Sequence, residues 1–169
     1  LKTLILIRHA KSSWNEPGVF DVDRPLNRRG LHDAPLMGGR LADRLAAAGL
    51  ALDAMLASSA RRAAQTARMI ADELAFAASS IDWRRELYLA APRTMMDIIR
   101  LLPDEVRTAA LVAHNPGITE MVNMLARVRI DNVPTCGVAL LSLKQEGWDG
   151  LEAGGAELIS FDYPKRLPA

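Results

Sequence analysis

The apolar positions along the chain fall into two kinds of pattern. Thr3–Ile7 is a short, unbroken apolar run rich in branched side chains. That pattern fits a strand buried on both faces of a parallel sheet. Leu52–Ala57 and Ala109–Ala113 repeat it more weakly. Between these runs, apolar residues recur at helical spacing. Ala63, Ala67, Ile70 and Leu74 mark one helical face. Met95, Ile98, Ile99 and Leu102 mark another, in a segment opened by Ala91-Pro92 and stopped by Pro103. Asn115-Pro116 reads as an N-cap with proline at the first helical position, and Ile118, Met121, Val122 and Leu125 follow as its buried face. Arg28–Leu45 is helical in pattern, but Pro35 removes a donor and crowds the preceding turn. The pattern there predicts a kink, or a restart with Asp33 as cap. Val138–Leu143 and Leu158–Phe161 read as strands, and the glycines between them favour a hairpin.

Strands alternating with helices predict a three-layer α/β/α sandwich around a mostly parallel central sheet. No internal repeat or low-complexity linker divides the chain, so residues 1–169 are expected to form one domain. In such sheets, ligands bind beyond the carboxyl ends of the strands.

Composition narrows the function classes. Half of the residues are hydrophobic, which argues against disorder. The formal net charge is +1, so neither a nucleic-acid partner nor a membrane partner is expected. No apolar run reaches the roughly 20 residues of a membrane span. Leu4–Ile7 is too short for the core of a secretory signal, and the expected location is the cytoplasm. One cysteine, Cys136, rules out an internal disulfide framework and a Cys-rich zinc module. Serine, not arginine, stands six residues after it, so a cysteine-based phosphatase loop is absent. Cys136 reads as a small strand residue. No phosphate-binding P-loop or dinucleotide glycine motif occurs.

Two of the three histidines stand at strand ends. Arg8-His9 follows the first strand, and His114 follows Ala109–Ala113. Either histidine alone reads as an ordinary packing residue, and Arg61-Arg62 alone reads as a solvated pair. Together, two arginines, two histidines and free amide donors at one sheet edge suit a doubly charged phosphoryl group. A histidine there can attack phosphorus and become a phosphohistidine. Neighbouring guanidiniums favour its neutral form and balance the charge of an in-line transition state. His32 sits among charged residues on a helix surface and takes no role. Trp14, Trp83 and Trp148 read as packing or loop-covering residues.

These motifs resemble the histidine phosphatase superfamily, with its phosphoglycerate-mutase-like fold, and specifically the small SixA-type phosphohistidine phosphatase branch. Arg8-His9 matches the signature after the first strand, with Ala10 where glycine is common. Ser12-Ser13-Trp14-Asn15 resembles the Ser-x-Trp-Asn of the mutases. Asp23–Gly30 resembles the branch's Arg-Pro-Leu-Thr-x-x-Gly stretch. Ser58 with Arg62-Ala63-Ala64-Gln65-Thr66 resembles the Arg-Ala-x-Gln-Thr motif, with Ser59 in place of its usual proline. Leu111–Pro116 resembles the second histidine motif.

The resemblance implies that His9 is the nucleophile, that Arg8, Arg62 and His114 bind the phosphoryl group, and that Asn15 is a further phosphate donor. It implies no metal and no organic cofactor. Larger members use a glutamate as general acid, and Glu86 lies in the corresponding region. A surface carboxylate paired with Arg84 or Arg85 is an equal reading of Glu86, and Asp21 and Asp23 are rivals. A protonated phosphohistidine leaves as neutral imidazole, so a weak acid suits P–N cleavage better than ester cleavage. The expected substrate is a phosphorylated protein, such as a phosphotransfer domain. The alternatives are a small phosphorylated molecule, handled by a phosphomonoesterase or mutase of the same fold, and a noncatalytic phosphate-recognition module. A metal hydrolase using His9 and His114 lacks a carboxylate cluster to complete its ligand set.

Overall fold

The computed structural model describes residues 1–167. Among the described residues, six strands form one sheet: β1 (Thr3–Arg8), β2 (Ala54–Ser58), β3 (Asp82–Arg84), β4 (Thr108–Ala113), β5 (Val138–Leu143) and β6 (Ala156–Asp162). Their spatial order is β3-β2-β4-β1-β5-β6. β1 pairs in parallel with β4, and β2 in parallel with β4 and β3. β5 lies antiparallel to both β1 and β6, so the expected hairpin closes one edge.

The side chains of β1 alternate between two cores, as strand geometry requires. Leu4 and Leu6 pack on one face, against the helices α3 (Pro92–Ile99) and α4 (Gly117–Ala126). Ile5 and Ile7 pack on the other, against α1 (Arg28–Ala47) and α2 (Arg61–Glu73). All four are fully buried, and each contributes about 1.5–3 kcal/mol of burial energy. β4 is buried throughout and divides its residues between the same two cores. This is the three-layer sandwich that the pattern predicts.

Three local expectations need correction. α1 does not restart at Asp33. It runs unbroken through Pro35 and is capped by Asn27, whose Oδ1 accepts the Gly30 N–H at 2.9 Å. Its buried face, including Ala34, Met37, Leu41 and Leu45, offsets the donor lost at Pro35. α4 begins one residue later than the Asn-Pro pattern suggests, at Gly117, after a cis Asn115–Pro116 bond. Asn115 still serves the helix start, because its Oδ1 accepts from Thr119 N–H at 3.2 Å and Thr119 Oγ1–H at 2.9 Å. Cys136 is buried, but it lies in a left-handed turn (φ 61°) before β5 and not in the strand. Periodicity gave no sign of β3, which has three residues and no fully buried side chain.

Candidate active site

The carboxyl ends of β1 and β4 place the two histidines side by side. The His9 N–H donates to the Ala113 carbonyl at 3.0 Å, tying the strand ends together. The His9 and His114 ring centroids are 5.1 Å apart. From behind, Cys136 N–H donates to the His9 carbonyl at 3.0 Å.

One turn of α2 builds the opposite wall. Arg62, Gln65 and Thr66 lie at i, i+3 and i+4, so they share a helix face. Thr66 Oγ1 accepts the Ala10 N–H at 3.0 Å and donates to the Arg62 carbonyl at 2.7 Å. Gln65 Oε1 accepts the Leu26 N–H at 2.7 Å, which fastens the first long loop to the same helix. Arg62 is buried, whereas Arg61 faces solvent. The arginine-to-threonine motif is thus a device that fixes a guanidinium, a strand end and a loop relative to one another.

His9 has a defined tautomer. Its Nδ1 lies 2.7 Å from the Ala10 carbonyl, which can only accept, so Nδ1 carries the proton. Nε2 is left with a lone pair and accepts from Arg62 Nε at 3.3 Å. Burial pushes the ring down to about 4, and the Arg62, Arg8 and Arg24 charges push the same way against the Ala10 bond. His114 is held down at about 3, first by burial and then by His9 and Arg62. Both rings are neutral at physiological pH.

Ser58 assigns the tautomer of His114. Its Oγ accepts from Ala60 N–H at 3.3 Å and lies 2.8 Å from His114 Nε2. Ser58 is fully buried, and its hydroxyl proton goes to that ring nitrogen. His114 Nδ1 therefore carries an N–H that has no acceptor among the described residues, and neither has the buried Arg8 Nε. Unmatched buried donors are costly, and two of them among guanidiniums form a site ready for an anion.

The residues form a cleft of about 420 Å³, lined by Arg8, His9, Arg24, Arg62 and His114 together with Lys11, Ser12 and Trp14. The sequence offers Asp21 only as a rival proton donor and gives Arg24 no role. Arg24 Nη1 donates to Ser12 Oγ at 2.8 Å, and its Nε pairs with Asp21 Oδ1 at 3.0 Å. Asp21 Oδ2 also accepts from Arg62 Nη2 at 3.0 Å and from the Tyr88 hydroxyl. These bonds, that to Tyr88 foremost, pull the Asp21 carboxyl down to about 2 and push the Tyr88 phenol up. Asp21 is therefore a fixed anion bridging two arginines. The Asp-x-x-Arg spacing of Asp21 and Arg24 was the available signal, but a loop gives it no register.

The other proposed residues lie apart. Glu86 sits on an exposed turn, outside the cleft, and its carboxylate is 3.9 Å from Arg84. Asp23 is exposed on the first loop. Asn15 is exposed beyond Trp14 and does not line the cleft, and its backbone N–H donates to Ser13 Oγ at 3.2 Å. Ala10 has no positive φ, so its backbone conformation does not call for the glycine common at this position. His32 stays on the α1 surface, 3.2 Å from Asp33. Among the described residues, no group of three His, Cys, Asp or Glu side chains could hold a metal ion. No described helix is long and apolar enough to cross a membrane.

Residues 4–130 match the family model of the histidine phosphatase superfamily (branch 1). The chain belongs to that superfamily. An uncharacterized Mycobacterium tuberculosis protein is 35% identical over 94% of this chain and 100% of its own length. The Agrobacterium tumefaciens protein assigned as the phosphohistidine phosphatase SixA superposes with a TM-score of 0.78 at 28% identity, covering 96% of this chain and 98% of that one. A protein histidine phosphatase SixA complexed with tungstate shares the fold, with a TM-score of 0.77 at 21% identity over 96% of this chain and 97% of that one. These likenesses place the chain in the SixA-type branch and support a phosphatase, a hydrolase of phosphoryl groups.

Proposed function

We propose that the protein removes phosphate from phosphohistidine on a protein, through a covalent phosphohistidine formed at His9. The observation that carries this reading is the His9 ring: neutral, with Nδ1–H held by the Ala10 carbonyl and the Nε2 lone pair at the guanidinium of Arg62.

The phosphoryl group sits between Arg8, Arg62 and His114. Its oxygens take the unmatched N–H of His114 and the guanidinium donors. Nε2 of His9 attacks phosphorus as the P–N bond to the substrate imidazole breaks. The bonding pair returns to the leaving nitrogen, and the substrate ring departs neutral because its other nitrogen already bears a proton. His9 becomes an imidazolium carrying the phosphoryl group, still bonded through Nδ1–H to Ala10. Water then attacks phosphorus, the P–N bond to His9 breaks, and dihydrogen phosphate leaves with the ring neutral again. The positive charge is supplied by arginine, so no step calls for a metal or cofactor.

The choice of substrate rests on the missing acid. An alkoxide leaving group needs a proton in the transition state. Glu86 is outside the cleft, and Asp21 is locked as an anion. P–N cleavage needs neither.

Turnover of a histidine-phosphorylated phosphotransfer domain, beside a panel of phosphosugars and in the presence of EDTA, tests the reading. Fast release from the protein, unaffected by EDTA, is expected. Much faster turnover of phosphosugars would favour a small-molecule phosphatase. Phosphate-analogue binding without turnover would favour a recognition module, and loss of activity in EDTA that a metal restores would overturn the metal-free mechanism.

A further inference from the structure

Four exposed large apolar side chains lie in or beside the cleft. Trp14 is 78% exposed, Phe20 77%, Leu89 54% and Val22 37%. Trp14 and Leu89 stand in the cleft wall. Phe20 and Val22 flank Asp21, whose carboxylate and carbonyl both bond Arg62, so their backbone lies at the cleft mouth while their side chains face solvent.

This surface is held in place. The Arg24 guanidinium lies 3.5 Å from the centroid of the Trp14 ring, covering one ring face. Leu89 has φ 51°, a left-handed conformation that is strained for leucine. Strain of this kind persists where the surroundings enforce it, and it gathers at functional sites. Exposed apolar side chains gathered at one place, unlike single scattered ones, mark an interaction surface.

The occupant follows from size and charge. A small ligand inside the cleft cannot cover Phe20 and Val22, which lie outside its lining. The occupant must present a phosphoryl dianion to the arginines and apolar surface around it. A bilayer fits poorly, because the exposed Glu16 and Asp23 of the loop repel anionic lipid, while Asp21 is already paired with Arg24 and Arg62. We propose that Trp14, Phe20, Val22 and Leu89 form a docking rim for a protein whose phosphohistidine is ringed by apolar side chains. This rests on the phosphohistidine reading above and adds how the protein is recognised.

The double variant Phe20→Ser/Val22→Ser tests the rim, since neither side chain lines the cleft. Steady-state kinetics are compared on a histidine-phosphorylated phosphotransfer domain and on free phosphohistidine. The rim predicts a KM for the phosphoprotein raised about tenfold, which corresponds to loss of an ordinary interface anchor. It predicts free-phosphohistidine turnover within about twofold of the wild type, and Phe20→Leu restoring most of the affinity. Equal losses on both substrates, or no loss on either, would overturn the rim. Wild-type failure on the phosphoprotein, with turnover of other phosphate compounds, would instead defeat the phosphohistidine reading. Co-sedimentation with phosphatidylglycerol vesicles that the double variant loses would overturn the rim in favour of a bilayer.

Discussion

The strand-end centre and the loop of residues 13–24 meet at Arg62 but are built differently. His9 and His114 are buried, and strand pairing fixes their backbones. The loop is mostly exposed and is held by a few side-chain bonds, chiefly from Arg24 and Asp21. The difference separates two tasks. Nucleophilic attack requires atoms held within a fraction of an ångström, which packed strands provide. Choosing a substrate requires surface that meets a partner, which a loop provides.

The largest effect is expected at the centre. His9→Ala should lower turnover by at least about 10³-fold while leaving the fold intact by circular dichroism. Turnover within tenfold of the wild type would remove His9 as the nucleophile. Arg62→Ala should cost about 10²–10³ in kcat, because it removes charge stabilisation aimed at the transferred group.

Acid should separate the two regions next. In the unfolded chain both rings protonate near 6.5, whereas in the fold His9 does so near 4 and His114 near 3. Between pH 6.5 and 4 the unfolded state therefore binds more protons. Stability is full above that window and is lost as pH falls through it. Chemical denaturation should show the decline, with a shallower slope in His114→Gln. A rise in stability toward acid would contradict the buried neutral rings.

The loop should give smaller effects. Asp21→Asn removes a permanent anion that competes for Arg62 and Arg24. Product phosphate should then inhibit about fivefold more strongly, read as its inhibition constant. Glu86→Gln should change kcat/KM by less than about twofold on a phosphate ester, as befits an exposed ion pair. A large loss would return Glu86 to the role of proton donor.

The same contrast explains what the sequence revealed. The runs at Thr3–Ile7 and Ala109–Ala113 carried both strands, and with them the positions of His9 and His114. The likeness of Arg62–Thr66 to the family's Arg-Ala-x-Gln-Thr motif, and not periodicity, separated Arg62 from Arg61. Asp21 could not be placed, because a loop has no period to say which way a carboxylate turns. The sequence could offer Asp21, Asp23 and Glu86 as acids, yet their settings differ through contacts with Tyr88, Arg62 and Arg84 that span many residues. Asn15 matched a motif, but the loop carries it past the cleft. Pro35 signalled a break that burial of the surrounding helix face overrides.

The central claim is that His9 Nε2 takes the phosphoryl group. Rapid quenching of the wild-type enzyme during turnover of phosphohistidine, followed by peptide mass spectrometry at alkaline pH, tests it directly. The expected result is one acid-labile phosphoryl group on the peptide holding His9, formed and lost at rates that match turnover. Full turnover with no phosphoryl group on His9 at any quench time would contradict the account.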